Sequence, residues 1–210
     1  MKGAMVTVAR KIGVVDYGAG NLTSVSKAFE AIGCEVATCS EAARLDGFAG
    51  IVVPGVGHFG ATTAISAGMR ETILRRIDAG VPLLGICLGM QWLFEGSSEA
   101  ADADGLAILP GRCTRMQVDL PLKVPHVGWN VLRQERTSSL MDGLARSAQV
   151  YFTHSFAVSV SDAAVATAVH GRPFVAAVQR EHVCGVQFHP EKSGDVGLRV
   201  LRNFVLMARN

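Results

Sequence analysis

Residues 81–97 read VPLLGICLGMQWLFEGS, and their reading decides the fold. The opening run, 81–86, is apolar and short, the pattern of a strand buried on both faces. Gly85-Ile86-Cys87-Leu88-Gly89 follows, and a helical stretch covers 88–95. Strand, sharp glycine turn and helix, with a thiol at the centre, match the nucleophile elbow with cysteine in place of serine. The glycines fit because a nucleophile on a strained turn leaves little room for side chains beside it. The turn lifts the sulfur to the top of the sheet and sets Cys87 at a helix N-terminus, which favours a thiolate. It also turns the backbone N–H of Leu88 toward the same site, as a donor to a developing oxyanion. Cysteine outside such a setting is usually a small buried hydrophobe, and Cys34, Cys39, Cys113 and Cys184 are assigned that role.

Outward from this elbow, the first half alternates apolar runs with helical patterns, as parallel βα units do. Residues 11–16 predict a strand, then a glycine turn, then a helix over 22–32 whose Val25, Ala28, Phe29 and Ile32 share one face. A strand at 49–53 leads into PGVGHFG, and a helix over 61–79 ends at Gly80. After residue 105 the pattern changes. Short strands are expected at 112–119, 129–134, 149–153, 165–169, 174–180 and 183–188, as an antiparallel or mixed extension of the sheet. A last helix covers 195–208. The chain reads as one α/β domain over residues 1–210, with about 1–10 as a lead-in and a mainly parallel or mixed central sheet flanked by helices. In such sheets the ligand site lies beyond the carboxyl ends of the strands.

Composition agrees with a well-filled core. Apolar residues make up 49% of the 210 and charged residues 18%, below the usual share of about 25%. Net charge is +2 with acids and bases interspersed, so a nucleic-acid partner has no electrostatic support. No apolar stretch is long enough to span a bilayer, and the first residues lack a signal-peptide pattern. Five cysteines, at irregular spacing and without a CxxC, do not form a disulfide framework or a zinc site. A reducing cytoplasm is the expected setting, with no metal.

A thiol nucleophile needs a base, and the base a partner that holds it. Of six histidines, His189 in GVQFHPEKSG is best placed, at the end of an apolar strand. Glu191 follows two residues on, the separation that puts two extended residues on one side, and Pro190 ends the strand between them. His58 and His126 have less definite roles. His154 is expected as a satisfied, half-buried histidine, and His170 and His182 as turn residues. Pro54-Gly55-Val56-Gly57 follows the strand at 49–53. Its glycines free the peptide after Gly55, with Val56, to supply a second oxyanion donor.

Together these segments resemble the triad-type class I glutamine amidotransferases, a flavodoxin-like fold family. The resemblance is strongest to glutaminase subunits that serve a (β/α)8-barrel cyclase in histidine biosynthesis. GICLGMQ and HPE carry the class. DYGAGN (16–21), PGVG (54–57), PHVGWN (125–130) and HPEKS (189–193) select the subunit type, and the matching stretches span nearly the whole chain. The resemblance implies a Cys87–His189–Glu191 triad that hydrolyses L-glutamine, with no cofactor. Gly55, Val56 and Leu88 would form the oxyanion site, and Gly57, Gln91 and Ser155 would hold the substrate. It further implies a heterodimer through Asn21, Trp129, Tyr151 and Lys192. The cyclase would use the ammonia to make imidazole glycerol phosphate and an aminoimidazole carboxamide ribotide. It would also control the glutaminase, by a flip of the PGVG peptide. A glutaminase subunit of another synthase, or a non-catalytic interaction subunit of the same fold, are the alternatives.

Overall fold

In a computed structural model the structure describes residues 10–208; most of the expected lead-in, residues 1–9, lies outside them. The first βα unit is β1 (Lys11–Val15) and α1 (Leu22–Glu30), followed by β2 (Glu35–Cys39) and β3 (Gly50–Val53). Next come α2 (Ala67–Asp78), β4 (Leu83–Ile86) and the short α3 (Leu88–Trp92). Strands β5 (Gly96–Ser97), β6 (Ala100–Asp104), β7 (Arg112–Arg115), β8 (His126–Val131) and β9 (Arg133–Gln134) follow. The chain then runs through β10 (Gln149–His154), β11 (Phe156–Ala157), β12 (Ala164–His170), β13 (Arg172–Arg180) and β14 (Val183–Val186) to α4 (Gly194–Met207).

Among the described residues the main sheet runs β2-β1-β3-β4-β14-β13-β12-β9. The first five strands are parallel and the rest antiparallel. The expected mixed α/β sheet is therefore present, and its parallel part has the flavodoxin-like order. The strands are apolar throughout because each face feeds a separate core. Along β3, Val52 packs with α1 and α4 through Phe29 and Phe204, while Ile51 and Val53 pack with α2 and α3 through Met69, Ile73 and Trp92. Both faces are covered by helices, so alternation of apolar and polar residues disappears.

Three expectations need correction. The helix expected over 61–79 is a 3-10 turn, Phe59–Ala64, and then α2. The break falls at Ser66, whose hydroxyl accepts from the N–H of Met69 and caps the new helix. Strand β2 was not expected at all. It is an edge strand with three of its five residues polar or small (Glu35, Ala37, Thr38), and it borrows its order from β1. The later strands do not all extend the main sheet: β8 pairs only with β10, and β5, β6, β7 and β11 form a separate sheet.

Candidate active site

Strands β4 and β14 are adjacent and parallel, with Val186 beside Ile86. The residues that leave their carboxyl ends, Cys87 and Gln187–His189, therefore emerge at one rim. Cys87 has φ +53 and ψ −107, a left-handed value that a β-carbon disfavours. The turn is held from both sides, since Cys87 N–H donates to Val186 (2.8 Å) and Gln91 N–H to the Cys87 carbonyl (3.1 Å). The elbow glycines serve helix–sheet contact more than space around the sulfur. A β-carbon on Gly89 would lie 1.8 Å from the Val53 carbonyl oxygen, and one on Gly85 would lie 2.5 Å from that of Gly89.

His189 and Glu191 are each 1% exposed at the side chain, and Nδ1 of the imidazole meets Glu191 Oε1 at 2.8 Å. The backbone of His189 is fixed as well. Its N–H donates to the Tyr151 carbonyl at 2.9 Å, and the Ser193 hydroxyl donates to its carbonyl at 2.6 Å. Nε2, on the far side of the ring from Glu191, is buried and has no hydrogen-bond partner. Burial opposes a charge on the ring, but the Cys87 sulfur and the Glu191 carboxylate more than offset it and raise His189 to about 9. The sulfur thus lies close enough to favour the imidazolium without closing a hydrogen bond to it, as is common before substrate arrives. At neutral pH the ring is protonated.

A cavity of about 230 Å³ opens over the sulfur. Among the residues expected to bind substrate, Gly57, Gln91 and Ser155 all line it, as do the oxyanion candidates Val56 and Leu88. The N–H of Leu88 is one of the first amides of α3, which have no partner within the helix. Gly55 packs just behind, where a β-carbon would come within 2.4 Å of the Tyr17 oxygen and 2.7 Å of Leu88 Cβ. The Tyr17 hydroxyl donates to the Pro54 carbonyl at 2.9 Å, so the loop after β1 braces this peptide. A larger cleft, about 1040 Å³, lies at the opposite ends of the strands, near Arg10, Arg76 and His182. Among the described residues lining it there is no cysteine, serine or threonine, so size does not locate the chemistry.

Sequence reading missed Glu99, Thr153 and Gln187. Glu99 lines the cavity and is positioned by the Phe59 N–H, which donates to its carboxylate at 2.8 Å. The Thr153 carbonyl lies 3.9 Å from the sulfur. Gln187 is fully buried and donates to the sulfur at 3.6 Å. Glu99 had no signal beyond its type. Gln187 did, as the one polar residue in an otherwise apolar strand end.

The other histidines divide. His154 is 6% exposed rather than half-buried. Burial pushes it down to about 3, with nearby imidazoles assisting and the Phe156 carbonyl opposing. Burial likewise lowers His126 to about 4, and His170 adds to this. Both rings are neutral, and their contacts fix the tautomers. His154 Nδ1 meets the Phe156 carbonyl at 3.0 Å and must carry its proton, so His154 Nε2 accepts from His126 Nδ1 at 3.1 Å. His58 accepts from the Gly60 N–H. His170 is the last residue of β12 rather than a turn residue, and stacks on His126.

Of the four residues expected at an interface, three form one surface. The Trp129 and Tyr151 rings lie edge to face at 6.2 Å, and the Lys192 ammonium sits 5.9 Å from the Tyr151 ring. Trp129 is 56% exposed and Val127 57%, both on β8. Asn21 lies at the start of α1, next to Gly20, which packs on Pro54 and Gly55. Among the described residues no group of three or more His, Cys, Asp or Glu side chains is arranged to hold a metal. No helix there is long and apolar enough to cross a membrane.

The family model described as glutamine amidotransferase class-I matches residues 13–208. The chain is 45% identical over 200 residues to the imidazole glycerol phosphate synthase subunit HisH of Syntrophotalea carbinolica, covering 91% of this chain and 97% of that protein. It is 43% identical over 199 residues to the subunit of the same name from Methanothermobacter thermautotrophicus, with 94% and 99% covered. Among solved structures, a crystal structure of a glutamine amidotransferase superposes with a TM-score of 0.74 at 21% identity, covering 94% of this chain and 98% of that one. A chain of PurLQS from Thermotoga maritima gives 0.76 at 19%, covering 96% and 100%. These two likenesses speak for the fold.

Proposed function

The chain belongs to the class I glutamine amidotransferases, within the family of imidazole glycerol phosphate synthase subunits HisH, and from that premise we propose how its residues release ammonia from glutamine. The protein is the glutamine-hydrolysing subunit of that synthase and works in histidine biosynthesis. One observation carries the residue assignment: a buried imidazole, protonated at neutral pH, is held by Glu191 at 2.8 Å at the strand end beside Cys87.

The Cys87 thiolate attacks the side-chain amide carbon of glutamine. The amide oxygen takes the charge and is met by the N–H groups of Leu88 and Val56. Loss of one such donor costs about 2.7–4 kcal/mol. His189 gives its proton to the amide nitrogen, the C–N bond breaks, and ammonia leaves a γ-glutamyl thioester on sulfur. The neutral imidazole then takes a proton from water, whose oxygen attacks the thioester. Glutamate departs, and the thiolate–imidazolium pair is restored. Glu191 keeps the ring oriented through both halves. Glu99, with its carboxylate on the cavity, suits the α-ammonium of glutamine, and Gln91, Gly57 and Ser155 complete the enclosure.

The exposed aromatic face of β8 and β10, with Lys192, is the proposed seat of the (β/α)8-barrel cyclase. It sits close to the machinery, since the Tyr151 carbonyl holds the His189 backbone. The cyclase would also set the peptide after Gly55, whose glycine neighbours make rotation inexpensive. A cytoplasmic setting fits five buried free thiols.

Cys87→Ala tests the assignment in the assembled synthase. Glutamine-dependent synthesis should fall to background while added ammonia still supports it. Loss of both activities would instead assign Cys87 a structural role.

A further inference from the structure

Gln187 is the residue whose placement the mechanism above leaves unused. It is fully buried, and its backbone N–H is tied to the Ala176 carbonyl at 2.9 Å. A buried amide is costly unless its polar atoms are paired. Here they are paired in one direction. Gln187 Nε2 donates to the Cys87 sulfur at 3.6 Å, and Gln187 Oε1 accepts from Gln91 Nε2 at 3.1 Å. Gln91 Nε2 spends its other proton on the Phe156 carbonyl at 3.0 Å.

The direction of this chain is forced from its ends. The Phe156 carbonyl can only accept, so Gln91 must present its NH2 there. That NH2 also faces Gln187, so Gln187 must answer with oxygen and turn its own NH2 to the sulfur. The reverse orientation of Gln187 would leave its NH2 facing the Gln91 NH2. With both protons of Gln91 used, its Oε1 is the polar atom left for the cavity that Gln91 lines.

We infer that Gln187 is a catalytic residue of this site: its amide donates to the nucleophilic sulfur and, through Gln91, fixes an acceptor toward the substrate. The inference rests on the glutaminase reading above and adds two roles to it. Gln187 is a donor that does not titrate, so it supports negative charge on the sulfur before attack and again as the thioester C–S bond breaks in hydrolysis. It also keeps Gln91 from flipping, so that Gln91 Oε1 meets an N–H donor of glutamine, the α-ammonium being the strongest.

Two variants separate these roles in the full-length protein. Gln187→Met has similar length and no amide. Gln91→Met removes the acceptor toward the substrate but leaves the Gln187 NH2 beside the sulfur. The reactivity of Cys87 is read as its rate of alkylation by iodoacetamide, located by mass spectrometry, at near-neutral and at strongly alkaline pH. The ionisable groups around the sulfur, His189, Tyr17 and Cys113, with Glu99 on the wall of the same cavity, are unchanged by either substitution. Gln187→Met should lower the neutral-to-alkaline rate ratio about tenfold, the worth of a hydrogen bond to a charged group, and should raise KM for glutamine. Gln91→Met should raise KM and leave the alkylation ratio as in the parent. An unmoved ratio in a folded Gln187→Met protein overturns the inference. If that variant does not fold, Gln187→Leu carries the same expectation and the same refutation. Alkylation needs no glutamine, so failure of the inference is distinct from failure of the glutaminase reading, which would show as no glutamine hydrolysis by the parent complex.

Discussion

His189 ties the charge state of the site to pH. Its folded value, about 9, lies above the ordinary 6.5. The stabilisation it adds is therefore complete below the ordinary value and is lost as pH rises through about 9. In the proposed mechanism this proton is the one passed to departing ammonia, so kcat for glutamine hydrolysis should fall over the same range. Glu191→Gln removes one of the two groups that hold this proton. It should lower kcat about a hundredfold and move the alkaline fall to lower pH. An unmoved pH profile would mean that Glu191 does not govern the imidazole. The sequence exposed this residue pair because its members stand two residues apart, although the extended chain expected there is a 3-10 turn, Pro190–Lys192, which starts at His189 and brings Glu191 back to the ring. It marked Gln187 only as a polar residue at an apolar strand end, and it did not expose Thr153 or Glu99; all three reach the site only after strands distant in sequence become neighbours.

The elbow is an element whose shape rests on two glycines. Adding a β-carbon at Gly89 sets it 1.8 Å from the Val53 carbonyl, and backbone on both sides leaves little to yield. Gly89→Ala should destabilise the protein by about 1–3 kcal/mol and displace Cys87, as urea denaturation and glutamine turnover would register. Gly80→Ala in the open turn after α2 meets no neighbour, but its φ of +82 still carries strain; its cost should appear in stability and leave turnover intact. The βα units around the elbow were legible because their strands are apolar on both faces and their helices on one. Edge strand β2 was not, since its order comes from a neighbour rather than from its own pattern. The break before α2 was not either, because Thr62, Thr63 and Ser66 do not interrupt the apolar spacing enough to mark a new cap.

For the whole molecule, the main sheet brings Cys87 and His189 to one rim, and the separate β8–β10 pair sets its aromatic face beside them through the Tyr151 carbonyl. That the later strands divide between sheets could not be read from sequence, where all of them share the same short apolar pattern. Trp129 stands on that face, 56% exposed. Trp129→Ala should weaken binding of the cyclase by at least about thirtyfold, as for an aromatic hot spot of about 2 kcal/mol, with little change in thermal stability. Calorimetric titration would check it, and an unchanged affinity would place the interface elsewhere. Whether sulfur 87 is the atom that takes the glutamyl group is decided by treating the assembled synthase with a diazo-ketone analogue of glutamine and mapping the adduct by mass spectrometry. One adduct per chain is expected, on Cys87, prevented by glutamine and accompanied by loss of glutamine-dependent but not ammonia-dependent synthesis. An inactivated enzyme carrying its adduct on another residue, with Cys87 unmodified, would contradict it.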